Sequence, residues 1–173
     1  MSERRPAART AARPAGDPPA PPPQSPAGAA LTELILLVFR LNGRLLEAAE
    51  GMAAAGGLTA ARWQVLGGVL DEPRPVAEIA RRMGLTRQSV QRLANVLVEE
   101  GFARWEPNPR HRRAKLLAST SEARAAVRRV AARQHPWSNA VGDALGEPTL
   151  REATRTIERL LAELSAQDST STR

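Results

Sequence analysis

The stretch PVAEIARRMGLTRQSVQRLANVLVEEGFARWEPNPRHRRAKLLAST, from Pro75 to Thr120, decides how the rest of this chain is read. Its first half has the spacing of two short helices joined by a tight turn. Ile79, Ala80, Met83, Gly84, Leu85, Val90 and Leu93 fall where such a pair needs its inward residues. Ala80 is small where the helices must approach, and Gly84 can adopt the positive φ that ends the first of them. Thr86 follows as an N-cap, its hydroxyl able to accept from an unpaired N–H in the next first turn. The second helix runs from Arg87 to Glu100 and stops at Gly101. Phe102–Trp105 and Lys115–Ala118 then alternate as two strands around the polar loop EPNPRHRR, whose prolines discourage pairing throughout. The expected unit is a helix-turn-helix with a β-hairpin wing beside it.

Outward from this unit the chain reads as helix. Towards the N-terminus, Asp71–Pro75 is a turn with room for no more than a short β-bridge. Thr59 caps a helix before it that buries Trp63, Val65, Leu66 and Leu70. Between Ala29 and Ala55, Leu31, Leu34, Ile35, Val38, Leu41, Leu45 and Ala48 recur at helical steps, and Leu36, Leu37 and Phe39 widen the apolar surface. A helix apolar on more than one side meets two partners, here its own domain and a second subunit. Residues 1–28 are rich in Pro, Ala and Arg and are expected to be disordered, because they cannot bury enough apolar surface to offset ordering. Arg4, Arg5, Arg9 and Arg13 in that tail either solubilise it or graze phosphates.

Beyond the wing, Thr120 caps a long helix carrying Ala126, Val127, Val130 and Ala131, which Pro136 is expected to kink or split. Trp137, Val141 and Leu145 continue its apolar line. Leu150, Ile157, Leu160, Leu161 and Leu164 stripe a last helix, and residues 167–173 are expected to form a disordered tail.

Charge points to a partner. The chain carries +7 overall, and between Arg81 and Lys115 nine basic residues face three acidic ones, so the excess sits on the helix-turn-helix and wing. The absence of cysteine excludes disulfides, thiol chemistry and cysteine-held metals. No apolar run reaches the roughly 18 residues a membrane span needs, and no apolar stretch follows the N-terminal arginines as in a secretory signal. The expected location is cytoplasmic, with no membrane partner. His111 and His135 lie far apart without a carboxylate at ligand spacing, and no phosphate loop, nucleophile motif or carboxylate pair appears. Neither a catalytic activity nor a cofactor or metal is expected.

On the recognition helix, Val90, Leu93, Val96 and Leu97 must face inward, leaving Arg87, Gln88, Gln91, Arg92 and Asn95 outside. Arg87 can pair with guanine, and Gln88 or Gln91 with adenine, because each offers two hydrogen-bonding sites matched to one base. Thr86 and Ser89 suit phosphate contact. At the wing, Arg112 and Arg113 are candidates for minor-groove insertion, or one of them turns back to pack or to meet an acidic side chain. Arg110 and Lys115 are expected on phosphates, while Arg81 and Arg82 either reach phosphate or stay solvated. The competing reading of the recognition helix is a solvated face of good helix formers. Trp63 and Trp105 read as packing residues rather than ligand cages, and Trp137 either packs or lines a pocket between lobes.

The order helix, helix, helix-turn-helix, wing and two long helices resembles the MarR family of bacterial transcriptional regulators. The likeness is strongest in LTAARWQVLGGVL, IARRMGLTRQSVQRLANVLVEEGFA and PNPRHRRAKLLASTSEAR, and it covers about Ala29 to Leu164. It implies a mainly α, winged helix-turn-helix fold whose first and last helices interlock as a dimerisation base. The expected organisation is a tail at 1–28, a dimerisation helix at 29–57, a DNA-binding lobe at 58–119, dimerisation helices at 120–166 and a tail at 167–173. The resemblance implies a homodimer on a pseudo-palindromic operator in double-stranded DNA, acting as a repressor, and a small-molecule effector pocket between base and lobes. Many members place an aspartate two residues before the key wing arginine; here Arg110 stands before Arg112, with His111 between them. The rival reading is a winged helix used for protein interaction or as a non-specific architectural DNA binder.

Overall fold

In the computed structural model, which describes residues 20–111 and 113–171, the elements follow the chain as α1 (Pro26–Ala53), a 3₁₀ turn (Ala54–Gly56), α2 (Ala60–Gly67), β1 (Arg74–Pro75), α3 (Val76–Met83), α4 (Arg87–Glu99), β2 (Ala103–Glu106), β3 (Leu116–Ser119), α5 (Ser121–Leu145) and α6 (Glu147–Ser171). The three strands form one antiparallel sheet in the order β1-β3-β2, with Trp105 opposite Leu117 and Arg74 opposite the other edge of the same residue. The fold is therefore mainly α with a small winged-helix sheet.

Both strands sit one residue later than expected, and the helices depart from expectation at three places. Helix α1 starts at Pro26 rather than Ala29, because the Ser25 hydroxyl accepts from Gly28 N–H at 3.1 Å and proline suits the first helical position. Helix α6 continues to Ser171, through most of the segment expected to be a tail, since Ala166 and Gln167 offer nothing to break it. Helix α5 passes through Pro136 without being split, and Ser138 Oγ bonds His135 O in the turn that the proline occupies.

The chain divides into two units between Leu41 and Asn42. In the first, Leu34, Ile35, Leu36, Leu37, Val38 and Phe39 are all exposed. The second contains the sheet and the remaining helices around a core in which Leu66, Ile79, Val90, Leu97, Leu117 and Val130 are wholly buried. Each such side chain contributes about 1.5–3 kcal/mol of burial. Ala94 is wholly buried on α4, while Leu93 and Val96 are only half-buried, so the inward stripe is centred on Val90, Ala94 and Leu97. Val69 rather than Leu70 completes the buried set after α2. The Thr59 and Thr120 hydroxyls cap α2 and α5 by accepting from Arg62 N–H and Ala123 N–H. Thr120 Oγ also donates to Gly101 O at 2.8 Å, tying the start of α5 to the end of α4.

Candidate nucleic-acid interface

Local chemistry fixes how α4 is presented. Gly84 ends α3 in the left-handed region at φ 64°, and Leu85 N–H closes the turn on Ala80 O at 2.9 Å. Thr86 then starts α4 by accepting from Ser89 N–H at 3.1 Å. The apolar stripe of α4 lies against α2, α3 and β2. Arg87, Gln88, Gln91, Arg92 and Asn95 are thereby left exposed.

A cleft of about 690 Å³ opens between this exposed face, the N-terminus of α3 and the wing. It brings together Arg87, Gln88, Gln91, Asn95, Arg113 and Lys115 over a floor that includes Trp105. Trp105 is half-buried and also packs on the core, so the expected packing role holds while one side of the indole remains on the cleft. Thr86, Arg92 and Arg110 are exposed outside the cleft and Ser89 is half-buried. Arg112 lies outside the described residues.

Which arginines are neutralised separates structural from available charge. Arg62 meets the Glu100 carboxylate, Arg104 meets Glu106 at 2.6 Å, and Arg74 meets three carboxylates. Among the described residues, no carboxylate engages Arg87, Arg92, Arg110, Arg113 or Lys115. Cations concentrated on one face without counter-charges attract a polyanion and release its counterions when it binds. Of the pair late in α3, Arg82 lies 3.8 Å from Glu78, whereas Arg81 shares a shallow groove with Arg87.

The wing tip is held by a residue that the sequence reading passed over. Asn108 Oδ1 accepts from Arg110 N–H at 3.0 Å, and Asn108 O accepts from His111 N–H at 3.2 Å. His111 O in turn accepts from Ala114 N–H at 3.1 Å. An asparagine side chain bonding the backbone two residues on makes an Asx turn. The Pro107-Asn108-Pro109 sequence, with Asn108 fixed between two prolines, was the available signal.

Arg74 was also missed. It is 3% exposed, donates to Gly68 O and Asp71 Oδ1 at 2.6 Å and to Asp71 Oδ2 at 2.7 Å, and reaches Glu72 at 2.6 Å. Its Nε lies 3.2 Å from Glu78 Oε1, outside hydrogen-bonding geometry. The guanidinium hydrogen bond holds the Asp71 carboxyl well below the usual carboxylate range, and Asp71 raises Arg74 in return. One side chain thus fastens the turn after α2, strand β1 and the first turn of α3, and with them the Pro75–Ala77 edge of the cleft.

Among the described residues no group of three or more His, Cys, Asp or Glu is placed to hold a metal ion, and no helix is long and apolar enough to cross a membrane.

A family model for the MarR family matches residues 56–114, from the end of the 3₁₀ turn to the wing loop just before β3. The uncharacterised protein Rv2011c of Mycobacterium tuberculosis is 39% identical over 138 residues, which span 79% of this chain and 96% of that protein. CouR from Rhodococcus jostii RHA1, solved bound to p-coumaroyl-CoA, aligns with a TM-score of 0.67 at 22% identity, covering 73% of this chain and 90% of that one. Staphylococcus aureus MarR, solved in complex with salicylate and kanamycin, aligns with a TM-score of 0.67 at 15% identity, covering 80% and 94%. At such identities these two structures speak to the shared fold.

Proposed function

The chain belongs to the MarR family of winged helix-turn-helix transcription regulators, and on that premise we propose that it is a homodimeric repressor of a pseudo-palindromic operator. The observation that carries the reading is the cleft in which Arg87, Gln88, Gln91, Arg113 and Lys115 stand together, with no carboxylate among the described residues engaging its cations. In this reading the N-terminal half of α4 enters the major groove, where Arg87 pairs with guanine and a glutamine with adenine. Thr86, Ser89, Arg92, Arg110 and Lys115 hold phosphates and set the register. Arg112 and Arg113 reach the neighbouring minor groove, whose potential is most negative in narrow A/T tracts.

A second copy supplies the other half-site. Exposed Leu34, Ile35, Val38 and Phe39 in the first unit support dimerisation, as do Trp137, Val141, Leu145, Ile157 and Leu161 in the second. Apolar surface of that extent marks an interface. A small molecule then releases the operator, a reading supported by the ligands present in the two neighbouring structures.

Selection of bound duplexes from a random pool, with the mass of the complex measured by sedimentation, tests the proposal. The expected product is an inverted repeat with half-sites one helical turn apart, bound by two chains. Arg87→Ala should relax preference at one position per half-site by roughly 1–3 kcal/mol. A pool without enriched sequence, coated uniformly, would instead identify an architectural binder; no retention at all would favour a protein-interaction module.

A further inference from the structure

Within the cleft, two exposed amides one helical turn apart are already joined. Gln91 Nε2 donates to Asn95 Oδ1 at 3.0 Å, and both side chains line the cleft alongside Arg87 and Gln88. A free glutamine on a helix surface samples several rotamers and gives up that freedom when it meets a base. Here one N–H of the Gln91 amide is already engaged, which biases its plane toward this orientation. Among the described residues, no other hydrogen bond engages the second N–H or the Oε1 atom.

That residual pair is one donor beside one acceptor, the pattern that adenine complements in the major groove through N7 and the N6 amino group. Guanine offers two acceptors there, O6 and N7, and leaves Oε1 facing another oxygen. Gln88, three residues earlier, has no such tether among the described residues. The geometry points to Asn95 as the residue that positions Gln91 to read adenine, making the Gln91–Asn95 pair a specificity element of the recognition helix. This inference rests on the proposed DNA-binding function. Asn95 touches no base in this arrangement and acts through Gln91.

The test is duplex selection with wild type, Gln91→Ala, Asn95→Ala and Asn95→Asp, followed by affinity measurements on the selected site with adenine replaced by 7-deazaadenine. Wild type should enrich an adenine at a position where Gln91→Ala shows no preference. Asn95→Ala should lose most of the preference at that same position, by roughly 5-fold or more given what a two-point base contact contributes, and leave the other positions intact. Asn95→Asp retains the acceptor for Gln91 and should keep the preference, with weaker binding overall because of its negative charge. The 7-deaza substitution removes the N7 acceptor and should weaken wild type several-fold while leaving Asn95→Ala unaffected. A role confined to stabilising the helix would lower affinity evenly across positions and would not produce this selective insensitivity. Undiminished adenine preference in Asn95→Ala overturns the inference while leaving DNA recognition standing, as does guanine at the position controlled by Gln91. A wild-type pool without enrichment overturns the functional reading and this inference together. Equal helical circular dichroism across the four proteins ensures that a loss reflects reading rather than unfolding.

Discussion

Gly56 offers the sharpest test of the packing between the 3₁₀ turn and α5. A Cβ placed there would lie 2.8 Å from Ala126 O and 2.8 Å from Val130 Cγ2, where ordinary contact begins at 3.4 Å. Relief requires the two segments to part by about 0.6 Å, and one obstacle is a helix backbone oxygen that cannot rotate away. Ala126 and Val130 are both wholly buried, so the neighbours have no solvent-facing space to use. Overpacking of this kind costs about 1–3 kcal/mol, and backbone involvement places Gly56→Ala near 2 kcal/mol. In a chain of this length that lowers the melting temperature by about 4–8 °C. Gly67→Ala is the control, because nothing lies within 4 Å of a Cβ at that position. Its φ is outside the left-handed region, so alanine should be neutral or stabilising by up to about 1 kcal/mol through the unfolded state. Thermal melts followed by circular dichroism at one fixed protein concentration measure both, which removes the effect of mass action on an oligomer. A Gly56→Ala melting temperature within about 1 °C of wild type would refute the close packing of the turn on α5.

Three further outcomes are expected. Arg113→Ala should weaken binding to all duplexes and reduce the slope of log affinity against log salt by about 1, as measured by titrations at several salt concentrations; an unchanged slope would remove Arg113 from the interface. Asn108→Ala should reduce DNA affinity several-fold and lower the melting temperature by about 1–6 °C, since it removes one exposed turn bond worth about 0.5–1.5 kcal/mol. Asn108→Asp should restore the melting temperature because the acceptor remains, and recover the affinity only in part because its negative charge opposes phosphate. The depressed Asp71 carboxyl contributes stability that is complete above its unfolded value near 4 and is lost as pH falls through the lower folded value. Denaturant midpoints at neutral pH and near pH 3 should therefore differ less in Asp71→Asn than in wild type, and equal differences would refute the coupling to Arg74.

The helix-turn-helix was legible because its signals are local and agree with one another. Gly84 in the left-handed region and Thr86 as a cap needed nothing beyond their immediate neighbours. The outward face of α4 followed from helical periodicity, with an adjustment of one position to centre the buried stripe on Ala94. Arg74 was illegible for the opposite reason. A charged residue in DEPRP reads as solvated, and its burial arises from the pairing of β1 with β3, more than 40 residues away in the chain, together with carboxylates on two elements. The link from Gln91 to Asn95 has helical spacing, yet spacing does not reveal which amide atoms meet. Of the two outcomes expected at Pro136, the split does not occur, because a helix can pass a proline at the loss of one hydrogen bond when the turns on either side hold.

The strand order β1-β3-β2 has a mechanical consequence. The returning strand of the wing, β3, is clamped on both sides, and its outer neighbour β1 ends at Pro75, directly before α3 begins. Swinging the wing away from α4 would therefore tear β3 from β1 or drag α3 with it. Recognition helix and wing behave as the two jaws of a fixed-gap gauge, set when the lobe folds. In the proposed dimer the remaining adjustable dimension would be the distance from one gauge to the other, and the proposed effector would act on that distance rather than on the jaws.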